Sequence, residues 1–400
     1  MGIYSPFTAN ELIPQEEKIE VVKKGGKISI GIPKDDEVYE NRIALTPDAV
    51  STLTCNGIEV IIEQGAGEGA HFTDIQYSNA GAKVSQNPKE VFSQPIILKT
   101  APPTLEQIDL LQVNSYLISS VQINTQTKEF FEKLSSKKIT ALGFEYIKDN
   151  HNEFPIVRIL GEIAGMASIL IAAELLSSTA NGNGLLLGGI AGVRPTNVVI
   201  IGAGNVGINA ARSALGLGAT IKIFDNSIKR LRRCQEILGT KIYTSTLDPK
   251  ELRKALLRCD VVIGCLRGEN RSPIIVTESM VKQMKSGAVI IDVCIDNGGI
   301  FETSQIKKTN GQSYTEHDVT HYCNPNITSK YARTTSKALS NFFLSYFLDL
   351  TNQGGFETIF TKNRGLCKGI YMYKGRITNQ QISQWFALPY QDINLLITEL

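Results

Sequence analysis

Apolar residues alternate between two spacings along this chain. From Lys27 onward they gather in short runs, KISIGIP, EVIIEQG, PIILKT, YLISSV and KITALGFE, while the stretches between, such as PDAVSTLTCNG and NTQTKEFFEKLSSK, have helical spacing. Strands alternating with helices predict parallel pairing through crossover helices. A nearly all-apolar helix is predicted over 158–177, and the glycine-rich NGNGLLLGGIAGVRP after it reads as a domain boundary. A second series follows: NVVIIG, a helix, TIKIFD, a helix, KIYTS, a helix from Pro249, DVVIG, a helix near 277–285, and AVIIDV. That order is the order of a doubly wound nucleotide domain, so the predicted class is α/β. Beyond Asn326, Leu339, Phe342, Phe343, Tyr346, Phe347 and Leu350 recur at three- and four-residue steps, one face of an amphipathic helix.

Composition narrows the partner. The 400 residues are 42% hydrophobic, enough for two or three domains with real cores. Forty-one basic against 39 acidic residues leave a formal charge of +2, which argues against nucleic acid and for a small-molecule ligand. The run AGMASILIAAELL (164–176) is short for a membrane span and carries Glu174, so a buried helix is expected. The N-terminal stretch has no apolar signal core and puts Pro6 where a myristoylation pattern wants Ser or Thr; a cytoplasmic protein is expected. Seven scattered cysteines, never spaced CxxC, read as reduced, packed thiols with no metal site.

The strongest chemical signal lies in NVVIIGAGNVGINAARSALGLGATIKIFD. Gly202, Gly204 and Gly207 form GxGxxG directly after an apolar strand and at the start of a helix. The first glycine permits the tight turn, the second lets backbone approach a pyrophosphate, the third lets helix and strand pack closely, and the helix N-terminus offers free N–H groups. The next strand ends at Asp225, whose carboxylate suits a ribose diol and repels a 2′-phosphate, so NAD is favoured over NADP. The basic run KRLRR (229–233) is the competing signal for a 2′-phosphate, or simply a solvated helix face. Candidate cofactor contacts are Gly202, Ala203, Gly204, Asn205, Val206, Gly207, Asp225, Asn226, Arg230, Leu266 and Asn326.

Two further residues stand where ligands bind. Arg42, in ENRIALTPDAV, occupies a loop before a helix that starts near Pro47 with Thr46 as N-cap, and a guanidinium there suits a carboxylate. In AVIIDVCIDNGGIFE, Asp292 and Asp296 end a buried strand. Asp296 lies past the strand's carboxyl end, where such folds place ligands, with Gly298 and Gly299 leaving room for one. On residues alone, a turn-capping Asp296 and a catalytic one remain open alternatives.

The strings GIPKDDEVYENRIALTP, GAGEGAHFTD, GGIAGVRPTNVVIIGAGNVGINAARSALGLGA and MKSGAVIIDVCIDNGGIFETS resemble the alanine dehydrogenase and pyridine nucleotide transhydrogenase family over residues 28–350. The resemblance implies two Rossmann-like domains: a discontinuous substrate domain, 27–155 plus 334–400, around a central NAD-binding domain, 156–333, with 1–26 as an extension. It implies a homo-oligomer, commonly a hexamer, that reversibly oxidises L-alanine or a similar small amino acid with NAD to a 2-oxo acid and ammonia. Arg42 then matches the carboxylate-binding arginine, Asp296 the active-site aspartate, and Asn326 an asparagine at the nicotinamide end of the cleft.

The pattern breaks at two places. The family's LKVKEP strand carries a substrate lysine where ILKTAPP has Ala101, with Lys99 two residues earlier on the same strand face. A histidine in a strand like YLHLA is matched by Ser119 in LISSVQ, and serine does not titrate near neutrality. His71, His151, His317 and His321 offer little compensation, and His321 and Glu162 are expected to be structural. Lys99 is kept as an electrostatic helper beside Asp296 and Arg42. The rival readings are an NAD(H)-binding protein without turnover and hydride transfer between nucleotides.

Overall fold

In the computed structural model, residues 28–35, 40–149, 151–268, 271–306, 313–353 and 356–398 are described; the extension expected at 1–26 lies outside them. The chain builds β1 (Ser29–Ile32), β2 (Glu59–Glu63), β3 (Lys83–Ser85), β4 (Ile96–Leu98), β5 (Tyr116–Ser119) and β6 (Thr140–Gly143). It then forms β7 (Asn197–Ile201), β8 (Thr220–Phe224), β9 (Tyr243–Ser245), β10 (Val261–Gly264), β11 (Val289–Asp292), β12 (Tyr314–Glu316) and β13 (Val319–Tyr322), and ends with β14 (Ile370–Tyr373) and β15 (Arg376–Ile377).

Among the described residues these strands form two sheets. The first has the order β15-β14-β6-β5-β4-β1-β2-β3, the second β12-β13-β11-β10-β7-β8-β9. Pairing is parallel except where β14 meets β6, β15 meets β14, and β12 meets β13. Strand order reverses around β1 in one sheet and β7 in the other, and the crevices at such reversals open at the strands' carboxyl ends. The α/β expectation holds. Strands β3, β12, β13, β14 and β15 escaped the sequence reading, because two- to four-residue strands carry little periodic signal.

Helix Pro155–Leu176 is apolar and long enough to cross a membrane, but it is a core helix. Ala164, Ala167, Ile171, Ala172 and Leu176 pack with Val198, Ile200, Ala210 and Ala214 of the second sheet's layer. Gly161 and Gly165, one turn apart, let helix Asn205–Gly216 come close: a Cβ on Gly165 would stand 2.4 Å from the Val206 carbonyl oxygen.

Helix Ala332–Gln353 returns to the first core, burying Leu339, Phe343, Phe347 and Leu350 as its spacing predicts. It also fixes the Arg42 loop. Ser336 Oγ accepts from the Ile43 N–H (2.9 Å) and Ser340 Oγ from the Thr46 N–H (3.0 Å). Thr46 is the N-cap residue of helix Pro47–Cys55, but its hydroxyl pairs with Ser340 (3.1 Å) rather than with the helix's own N–H groups. The predicted helix near 277–285 shortens to Glu278–Val281, a single turn before β11.

Candidate active site

The fingerprint turn distributes three roles among three glycines. Gly202 has φ +113°, and a Cβ there would sit 2.6 Å from the Cys265 carbonyl oxygen. A Cβ on Gly207 would lie 1.9 Å from the Gly202 oxygen, so only glycine lets the helix start so close to the strand. Gly204 differs: nothing lies within 4 Å of its Cβ position, which leaves open space at the head of helix Asn205–Gly216. No side chain caps that helix, so its first N–H groups face the opening. These features fit a dinucleotide's pyrophosphate.

Around the turn, the candidate residues divide by what they already hold. The buried Asp225 carboxylate accepts from the Ala203 N–H (2.8 Å) and the Ser227 N–H (2.7 Å), with Arg230 Nη1 at 3.8 Å. Asn226 Oδ1 accepts from the Leu247 N–H (3.3 Å). Asn205 donates its amide to the Arg158 carbonyl (2.6 Å) and Val206 packs into the core, so those two can offer a ligand only backbone. Leu266 borders Gly202. Of the basic run, Lys229, Arg230, Arg232 and Arg233 are exposed while Leu231 is buried, a solvated helix face.

The loop after β11 is organised by Asp292. Its buried carboxylate accepts from the Cys294 N–H (3.0 Å), the Ile300 N–H (2.9 Å) and Ser304 Oγ (2.6 Å). Gly298 and Gly299 have φ of +93° and +74°, and Cβ atoms there would meet Arg271 and Asp292 at 2.6 Å. The loop's own path therefore requires both glycines, a role beyond the room for a ligand that the sequence suggested. The loop projects Asp296 on the short 3₁₀ turn Ile295–Asn297. Asp296 is exposed to solvent as a residue, while protein is packed densely around its carboxyl group. Burial pushes its pKa up to about 6, opposed by the Asn326 N–H (3.4 Å) and by the charges of Arg42 and Arg267.

Facing it, Arg42 is buried and heavily engaged. Its Nε and Nη2 grip Glu40 at 2.7 and 2.5 Å, Nη2 also reaches Asn326 Oδ1 (2.8 Å), and Nη1 reaches Thr328 Oγ1 (3.0 Å). Asn326 returns an N–H to Glu40 (3.0 Å). Thus Arg42, Asp296 and Asn326 do meet, but four of the guanidinium's five N–H groups are spoken for. Lys99 is buried and ion-paired with Asp35. Across the cleft, Asn124 donates to the Asp296 carbonyl (3.1 Å) and to Asn297 Oδ1 (3.0 Å).

Comparison with known proteins decides the family. The family model for the alanine dehydrogenase/PNT C-terminal domain matches residues 168–380, and that for the N-terminal domain matches residues 31–164. Alanine dehydrogenase 2 of Staphylococcus aureus (strain USA300) is 34% identical over 368 residues, 92% of this chain and 98% of the relative. The chain belongs to the alanine dehydrogenase/PNT family. A solved structure of L-alanine dehydrogenase superposes with a TM-score of 0.83 at 34% identity, over 90% of this chain and 99% of the other. A transhydrogenase from Sinorhizobium meliloti, 19% identical, has a TM-score of 0.74 over 88% of this chain and 99% of its own, and shares the fold.

Ala101 and Ser119, the two positions that the sequence singled out, are both buried. Ala101 presents no polar atom, and the Ser119 hydroxyl donates to the Ser120 carbonyl (3.0 Å). His321 is wholly buried between the Val319 carbonyl (2.9 Å) and the Thr303 hydroxyl (2.8 Å), and burial lowers its pKa; it is structural, as expected. Glu162 ion-pairs with Arg158 on its own helix at 3.7 Å. Sequence reasoning missed Glu40, Asn124, Glu145 and Arg267. Glu145 and Arg267 sit just past strand ends, the same positional signal that singled out Asp296.

Proposed function

We propose that the protein is an NAD-dependent oxidoreductase of the L-alanine dehydrogenase type, reversibly converting L-alanine or a similarly small amino acid to its 2-oxo acid and ammonia. One observation carries the reading: the open approach at Gly204, at the head of the uncapped helix Asn205–Gly216, and an aspartate whose pKa is pushed up to about 6 share the carboxyl edge of the second sheet, against the Arg42 loop of the first. NAD, when bound, accepts and returns the hydride. Backbone from Gly202 to Gly207, with Asp225, Asn226, Arg230, Leu266 and Asn326, holds it; the lone pairs still free on Asp225 suit a ribose diol. Ionised Asp296 takes the proton released as the amine is oxidised. Arg42 adds its remaining Nη1–H and positive charge toward the substrate carboxylate, and Lys99 contributes electrostatically through Asp35. The same reading has the enzyme in the cytoplasm as a homo-oligomer, a hexamer by family resemblance, which light scattering checks.

NADH absorbance followed with pyruvate and ammonium, then with other 2-oxo acids and with NADPH, tests the reaction. Turnover that disappears in Asp296→Asn supports it. Ala101 and Ser119 favour a second reading, NAD(H) binding without turnover, and tight NADH uptake with no turnover on any 2-oxo acid would establish that instead. Hydride transfer to a nucleotide analogue alone would establish the transhydrogenase-like reading.

A further inference from the structure

Among the described residues, Arg42, Lys99 and Arg267 each bring positive charge toward the cleft, and two of them are already matched. Arg42 is held by Glu40 and Lys99 by Asp35. The third, Arg267, lies three residues past the end of β10, on the loop that closes over Gly202. Gly264 pairs with Asp292 of β11, so Arg267 and Asp296 leave neighbouring strands at the same sheet edge. The Arg267 side chain is exposed, and it has no hydrogen bond or ion pair among the described residues. The other arginine of this segment, Arg271, lies across Gly298.

From the first sheet, Glu145 approaches two residues beyond β6. Its Oε1 accepts from the Val121 N–H (2.7 Å) and the Gln122 N–H (3.2 Å), while Oε2 is buried without a partner among the described residues. Burial raises the pKa of both Glu145 and Asp296, and the charge of Arg267 works against that rise at each. Glu40 offsets most of the charge of Arg42, which keeps one N–H for a ligand, and Asp35 offsets Lys99, so the carboxyls of Glu145 and Asp296, where ionised, repel an incoming carboxylate unless a further cation meets it.

We propose that Arg267 is a second substrate-anchoring residue of this cleft, beside the single N–H that Arg42 keeps, taking the carboxylate of a 2-oxo or 2-amino acid with its free guanidinium fork from the cofactor side. A planar fork with all five donors available matches a carboxylate in two parallel hydrogen bonds, which the Arg42 fork, filled by Glu40, does not offer. The assignment rests on the dehydrogenase reading and specifies which residue selects the anion. Its structural competitor is a cross-cleft latch between Arg267 and Glu145.

Calorimetry of oxamate, a non-reducible isostere of pyruvate, on the NADH-loaded protein separates these roles. Arg267→Gln is expected to leave NADH affinity unchanged, to weaken oxamate about 10- to 100-fold, the worth of a charge-assisted pair, and to raise the pyruvate KM by a similar factor with kcat retained. Arg267→Lys restores the charge without the fork and recovers part of the loss. Unchanged oxamate affinity in Arg267→Gln overturns the proposal. So does an equal loss of NADH affinity, which would make Arg267 a cofactor residue, or a Glu145→Gln variant that reproduces the Arg267→Gln loss, which would make it a latch. An unsubstituted protein that takes up NADH but neither binds oxamate nor reduces any 2-oxo acid removes the dehydrogenase reading itself, and this assignment with it.

Discussion

Gly204 has φ −78°, a conformation any residue adopts, and open space where a side chain would go. Its glycine therefore answers to something outside the fold. Gly204→Val is expected to leave the melting temperature nearly unchanged while NADH affinity falls more than about tenfold, or about 1.4 kcal/mol; fluorescence titration of NADH against thermal unfolding checks both. Gly202 and Gly207 contrast with it, since backbone blocks a Cβ at each. At Asp296 the sign of the pH dependence follows from burial. Folded, its pKa stands near 6 against an ordinary 3.8, so a proton acceptor role predicts that kcat/KM for alanine oxidation falls as pH drops through about 6. Stability runs the other way. This carboxyl favours the folded state most while protonated, and that contribution is lost as pH rises from the ordinary value through about 6. In Asp296→Asn, unfolding curves measured across that window should be flatter than those of the unsubstituted protein.

Helix Pro155–Leu176 shows how one element joins stability to binding. Its small residues exist to bring the fingerprint helix close, so what read as a hydrophobic run is a packing surface of specified depth. Gly165→Leu would drive a side chain into the backbone at Val206 and Ala210. Overpacking of that kind is expected to cost about 3 kcal/mol or more in chemical unfolding, and NADH binding should be lost with it because the helix N-terminus shifts. The loop from Asp292 to Ser304 is the complementary case. A buried carboxylate with three donors holds a glycine-rich path rigid enough to present Asp296.

At the scale of the whole molecule, Arg42 ties the two sheets' edges together. Its guanidinium contacts Glu40 on its own loop and Asn326 and Thr328 on the segment leaving the second sheet. Both members of the Arg42–Glu40 pair are almost fully buried, and removing one charge strands the other. Arg42→Ala is therefore expected to lose about 3–5 kcal/mol of unfolding free energy as well as activity, as urea titration would report. Lost turnover in that variant does not by itself identify a substrate contact. A folded Arg42→Ala protein with full stability would show that the cluster carries no structural load.

Much of this molecule can be read along the chain because its determinants are local. Hydrophobic period, the strand–GxGxxG–helix unit, the acid ending the next strand and the amphipathic Leu339–Leu350 face each need only a few consecutive residues, and the structure bears out the strands, helices and α/β class they imply. What the sequence could not supply is who neighbours whom across sheets. That Glu40 fills the Arg42 fork, that Asp35 neutralises Lys99, that Gly298 and Gly299 serve their loop, and that Arg267 remains unpaired are outcomes of folding that bring residues from distant parts of the chain together. Sequence alone determined the kinds of groups that line the cleft. Tertiary structure decided which of their charges are still free to meet a ligand, because a charge's availability depends on the partners that packing places beside it.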